Sequence, residues 1–193
     1  MIANYQIPVP FAKTMKSVIK FTALLPVLFI LAGCASSGMV HNASPITAKK
    51  PDLDVIFVKT SSSLGGLEAE KLMLNDRIVS GLREAHMFKE VSGNKADISL
   101  GSGIAINADV KEIKKVSKNK RAWAGALAGK ARIRVQVMVS DLNSGNQIGT
   151  FEAEGQSSGG SDLAGTTEEA IERVANEVVR EVLKINSRTA ERL

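Results

Sequence analysis

Residues 132–155, RIRVQVMVSDLNSGNQIGTFEAEG, decide the fold. Ile133, Val135, Val137 and Val139 alternate with Arg132, Arg134 and Gln136, the period of two that places one side of a strand in a core and the other in water. Asp141-Leu-Asn-Ser-Gly-Asn146 breaks the pattern with turn-forming residues, and Gln147 to Gly155 runs back as the partner strand. A hairpin with one dry face needs a cover for it.

The flanking sequence supplies the cover. Leu74, Ile78, Leu82 and Ala85 recur at spacings of three and four, which predicts a helix from Leu67 to about Ala85. Thr166-Thr-Glu-Glu169 reads as a capping box, with the Thr166 hydroxyl and the Glu169 carboxylate each covering an orphan amide. A second helix then carries Ile171, Val174, Ala175, Val178, Val182 and Ile185 as its apolar stripe. Leu53 to Thr60 reads as a strand, Ile104, Ile106, Ala108 and Val110 alternate as another, and Met87–Val91 and Ala96–Leu100 are short extended segments. This order predicts one α+β domain over residues 53–185: a mostly antiparallel sheet of about four to five strands with two helices on one face. Residues 186–193 read as a flexible tail. Aromatics are scarce and Trp123 is the sole tryptophan, so the core must be built from Val, Ile, Leu and Ala.

The N-terminal segment is of another kind. Phe21 to Ala32 is about a dozen apolar-dominated residues, short of the ~20 that span a bilayer. Lys16 and Lys20 precede it and Ala32 and Gly33 follow, the layout of a secretory signal peptide over residues 1–33, with Met15 as a second candidate start. Leu31-Ala32-Gly33-Cys34 resembles the lipobox of bacterial lipoproteins, and Cys34 is the sole cysteine of the chain. That resemblance implies a diacylglycerol on Cys34, cleavage just before it and an acyl chain on the new amino group. Ala35, where aspartate would retain the protein in the inner membrane, implies the periplasmic side of the outer membrane. Two or three chains anchor firmly where one is marginal. Residues 34–52, rich in small and polar side chains, then read as the lipidated N-terminus and a flexible tether with a coil reach of roughly 20–25 Å.

Loss of residues 1–33 removes three lysines and no acid, so the 25 basic residues fall to 22 against 20 acidic ones. The basic character belongs largely to the signal peptide, and a nucleic-acid partner is not expected. The expected partner is the membrane, through the lipid anchor. The oligomeric state is not legible.

Motifs with catalytic overtones are weak in context. Gly155-Gln-Ser157-Ser-Gly159 matches the Gly-x-Ser-x-Gly nucleophile elbow, but the next helix starts about ten residues later and both histidines, His41 and His86, precede the serine. A periplasmic hydrolase with an unrecognised active site is the alternative reading. Gly125 to Lys130 resembles the end of a phosphate loop but has Ala124 and Ala131 where Gly and Ser or Thr are needed. Two separated histidines do not make a metal site, so neither metal nor dissociable cofactor is expected. The uneven feature is the basic cluster Lys111, Lys114, Lys115, Lys118, Lys120, Arg121, Lys130, Arg132 and Arg134, with Trp123 inside it. Its bland role is a solvated, edge-protecting strand. Its functional role is a docking face, with Lys114, Lys115, Lys118, Arg121 and Trp123 meeting anionic lipid, cell-wall polymer or an acidic envelope protein.

The stretches LNDRIVSGLREAHMFKEV, ADISL, RAWAGALAGKARIRVQVMVSDLNSGNQIGTF and AIERVANEVVREVLK are together similar to bacterial lipoprotein domains of the family of unknown function DUF4410. Phe88, Arg121, Gly129, Asp141 and Gly145 are the positions carried over. The family implies a fold and an anchor and no activity. More distantly, the strand order resembles the periplasmic N-terminal domain of the Tol propeller protein and the curli-secretion lipoproteins, which implies a non-catalytic assembly module.

Overall fold

A computed structural model describes residues 37–44, 54–98, 102–117, 119, 129–158 and 165–190. The signal segment 1–33, Cys34, Lys118, Lys120, Arg121 and Trp123 lie outside the described residues. The elements are β1 (Ser37–His41), β2 (Val55–Ser62), α1 (Glu68–Glu84), β3 (Glu90–Ser92), β4 (Gly103–Lys114), β5 (Arg132–Asp141), β6 (Gln147–Gln156) and α2 (Thr167–Ala190).

The α+β class holds, with a six-stranded sheet of order β1-β6-β5-β4-β2-β3. β1, β6, β5 and β4 pair antiparallel, whereas β2 runs parallel to both β4 and β3. The parallel half arises because α1 carries the chain back over the sheet between β2 and β3, the crossover that parallel neighbours require. Three local expectations differ. Ser37–His41, expected in the tether, is an edge strand on β6; its backbone pairs with the open side of β6 although its sequence has no strong strand signal. Ala96 and Asp97, expected to open an extended segment, lie in a turn of 3-10 helix over Lys95–Asp97, with the Asn94 side chain accepting from the Ala96 N–H at 3.1 Å. And α2 continues to Ala190, into the segment expected to be a tail.

Both helices pack on one face. Ile104, Ile106, Ala108 and Val110 of β4, Ile133 to Val139 at alternate positions of β5, and Phe151 and Ala153 of β6 point into that layer. Leu74, Ile78, Val79 and Leu82 of α1 and Ala170, Ile171, Val174, Ala175, Val178 and Val182 of α2 meet them. Val110 and Ile113 are three apart because a bulge between Val110 and Glu112 inserts Lys111 and restores the inward side for Ile113.

Candidate functional site

The opposite face of the sheet carries the polar side of β4, β5 and β6. Register aligns its residues in rows: Lys114 beside Arg132, Gln156 and Ser37, and next to it Glu112 beside Arg134, Glu154 and Met39. Glu154 is 5% exposed and lies between two arginines, with Arg132 Nε 3.0 Å from Oε1 and Arg134 Nη2 3.3 Å from Oε2. Arg134 also meets Glu112 at 3.4 Å, Lys115 meets Glu70 of α1 at 2.6 Å, and Lys111 pairs with Asp109. Three of the nine basic residues, Lys115, Arg132 and Arg134, are thus answered by acids that lie 20 or more positions off in sequence. The basic residues on β4 and β5 guard no edge, because both are internal strands of the sheet. Among the described residues, the exposed Lys114 and Lys130 have no carboxylate partner. The Arg132–Glu154–Arg134 clamp was legible in principle: a hairpin turning at 141–146 sets Arg134 opposite Glu154.

Ser157 is fully buried. Its Oγ accepts from the Ala131 N–H at 2.8 Å, and its own N–H donates to the Ala131 carbonyl at 3.0 Å, so it extends the β5–β6 ladder by one step. Ser157→Ala leaves the Ala131 N–H buried without a partner, a loss of about 1–3 kcal/mol that chemical denaturation reads directly. A serine nucleophile would lose activity with stability intact.

The capping box closes in one direction only. The Glu169 N–H donates to Thr166 Oγ1 at 3.4 Å, but the Glu169 carboxylate turns to the preceding loop, accepting from the Gly165 N–H at 2.7 Å and from the Ser158 N–H and hydroxyl at 3.1 and 3.0 Å. Burial opposes its ionisation, yet the bonds from Gly165 and Ser158 and the charge of Arg173 prevail and hold it below its ordinary value of 4.5. A lowered native value means stability that is complete above pH 4.5 and lost as pH falls through the lowered value. Glu169→Gln should cost about 1–2 kcal/mol at neutral pH, and urea titrations from pH 7 down to pH 3 should show a flatter acid limb than in the parent.

The positions carried over from the family are structural where described. Asp141 Oδ1 accepts from the Ser144 N–H at 2.7 Å and hydroxyl at 2.8 Å and from the Asn143 N–H at 3.2 Å, and the Ser144 bonds above all hold its carboxyl below 3.8. Gly145 closes that turn at φ +71° and Gly129 leads into β5 at φ +76°. Phe88 packs on the core. His41 lies on β1 and His86 just past α1. Among the described residues no group of three His, Cys, Asp or Glu could hold a metal, and no helix is long and apolar enough to cross a membrane.

No curated protein matches the sequence. Among solved structures, the PelC dodecamer from Paraburkholderia phytofirmans is 16% identical, covering 74% of this chain and 96% of that one with a TM-score of 0.48. A Xanthomonas campestris protein of family DUF330 is 15% identical, covering 78% and 95% with a TM-score of 0.49. A family model described as "Domain of unknown function (DUF4410)" matches residues 67–161, the stretch from α1 to just past β6.

Proposed function

We propose that the chain is a lipid-anchored protein of the bacterial outer membrane, facing the periplasm, that acts by binding as an envelope-assembly module and carries out no chemistry. The observation that carries the reading is Leu31-Ala32-Gly33-Cys34 directly after an apolar run of signal-peptide length, with the sole cysteine at the position that would be acylated. Diacylglycerol and an N-acyl chain would be its only attached groups. The structural use of Ser157 supports the non-catalytic half of the reading, because a side chain committed to Ala131 is not available as a nucleophile. The basic segment around Lys114, Lys115, Lys118, Arg121 and Trp123 is its docking element, with anionic lipid, cell-wall polymer or an acidic envelope protein as the partner chemistry.

Cys34→Ala tests the anchor. Cells fed labelled palmitate should label the parent chain and leave the variant blank, and the variant should move from the membrane to the soluble fraction. Label and membrane association that survive the substitution would overturn the reading. A broad hydrolase screen with a Ser157→Ala control tests the absence of chemistry, and turnover by the parent chain would establish the alternative.

A further inference from the structure

We infer that the end of the sheet at which β1 begins is the membrane-facing end of the domain, where Lys114, Lys130 and Arg132 rest against anionic lipid headgroups. The inference rests on acylation of Cys34.

The first argument is reach. Ser37 is the first residue of β1, and β1 is held in place: five consecutive residues pair with β6, and Gly38 lies so close to Glu177 of α2 that an added methyl would stand 2.6 Å from its Cγ. From Cys34 to Ser37 there are three Cα steps, at most about 11 Å. An acylated Cys34 therefore holds the start of β1 within about 11 Å of the headgroups, under two Debye lengths at the ~8 Å of physiological salt. The sheet hangs on no long coil.

The second argument is what shares that end. The register row Ser37, Gln156, Arg132, Lys114 crosses four neighbouring strands, so Lys114 sits about 14 Å from Ser37 at ~4.8 Å per strand. Chain direction brings both helix N-termini to the same end: Thr167 N–H donates to the Val116 carbonyl at 3.2 Å, and Lys115 reaches Glu70 in the first turn of α1. Their positive dipole ends add to the lysines. Acids are present too, and these are engaged: Glu68 with Lys71, Glu70 with Lys115, Glu112 with Arg134, Glu154 with Arg132 and Arg134, and Glu169 with Gly165 and Ser158. The connection from Lys115 to Ala131 contains lysine and arginine and no acid. The far end, with the Asp141–Asn146 turn, stands a full β5 length away, about 30 Å for its ten residues.

The acylated full-length protein allows a direct test, because acylation consumes its one native cysteine. Ser117→Cys, at the basic end, and Asn143→Cys, in the far turn, are each labelled with a fluorophore in vesicles of phosphatidylethanolamine and phosphatidylglycerol carrying a headgroup nitroxide. Quenching at 117 should exceed that at 143 severalfold. A long Gly/Ser insert between Ala35 and Ser36 should erase the difference, and Lys114→Glu with Lys130→Glu should shrink it. Equal quenching at both positions, or more at 143, in protein that carries palmitate would overturn the orientation while leaving the anchor standing. Absence of palmitate would overturn both. Circular dichroism of each variant confirms the fold, and Lys114→Gln with Lys130→Gln replaces the reversals if those unfold.

Discussion

Gly155→Ala should destabilise the domain by about 3 kcal/mol, the upper part of the overpacking range, although it adds a single methyl group. In thermal unfolding this is a fall in Tm of roughly 6–12 °C for a domain of this size. The methyl would stand 2.2 Å from the Ala170 carbonyl oxygen and 2.5 Å from the Val174 nitrogen, the two ends of one helical hydrogen bond in α2. Neither can step aside without moving the helix, and the helix is also packed against α1. Shortening the neighbouring side chain with Val174→Ala should therefore bring no rescue. Gly81→Ala is the contrast: the nearest atom there is Val179 Cγ2 at 2.9 Å, a side-chain methyl, and a mid-helix alanine gains about 1 kcal/mol in propensity over glycine. Its net effect should be small, and Val179→Ala should remove what remains of the clash.

The same glycine explains why a catalytic motif can be written into a structural segment. Gly155 permits contact with α2 and Ser157 ties off the strand, so two of the three defining positions of Gly-x-Ser-x-Gly have packing and ladder roles. Local periodicity made β4, β5, β6 and both helices legible, because each buries one face and leaves the other in water, and that alternation is a property of neighbouring residues. The signals that failed were non-local. Ser37–His41 is a strand because β6 offers it an open edge, and no feature within five residues records that. The acid partners of the basic cluster, Glu70 and Glu154, stand 45 and 20 or more positions away from Lys115 and Arg134 and meet them through the fold alone. Phase shifts were more readable than they looked: the step from Val110 to Ile113 marks the bulge before any pairing is known.

Gly103→Ala should be comparably damaging, about 3 kcal/mol, for a reason that lies in the half of the sheet where local pattern says least. β2 runs parallel to β4, and Val55 is the partner of Gly103 where that pairing begins. A methyl at position 103 would stand 2.2 Å from the Val55 carbonyl oxygen, with the Val55 carbonyl carbon and Cβ each at 2.9 Å. Relief requires β2 to move away from β4, yet β2 is fixed from its other side by β3 and from above by α1 through the Thr60 hydroxyl, which donates to the Lys71 carbonyl at 3.0 Å. The adjoining turn shares the strain, because the Gly103 carbonyl accepts from the Leu142 N–H at 2.9 Å. Val55→Ala in the same chain should fail to restore stability, since the closest clash is with backbone oxygen and not with the valine side chain. Hydrogen exchange locates the damage: the amides of β2 and β3 should lose protection first, while those of β5 and β6, paired antiparallel on the far side of β4, should keep theirs until global unfolding. Uniform loss of protection across all six strands would instead make the sheet one cooperative unit, with the parallel crossing no weaker than the hairpin.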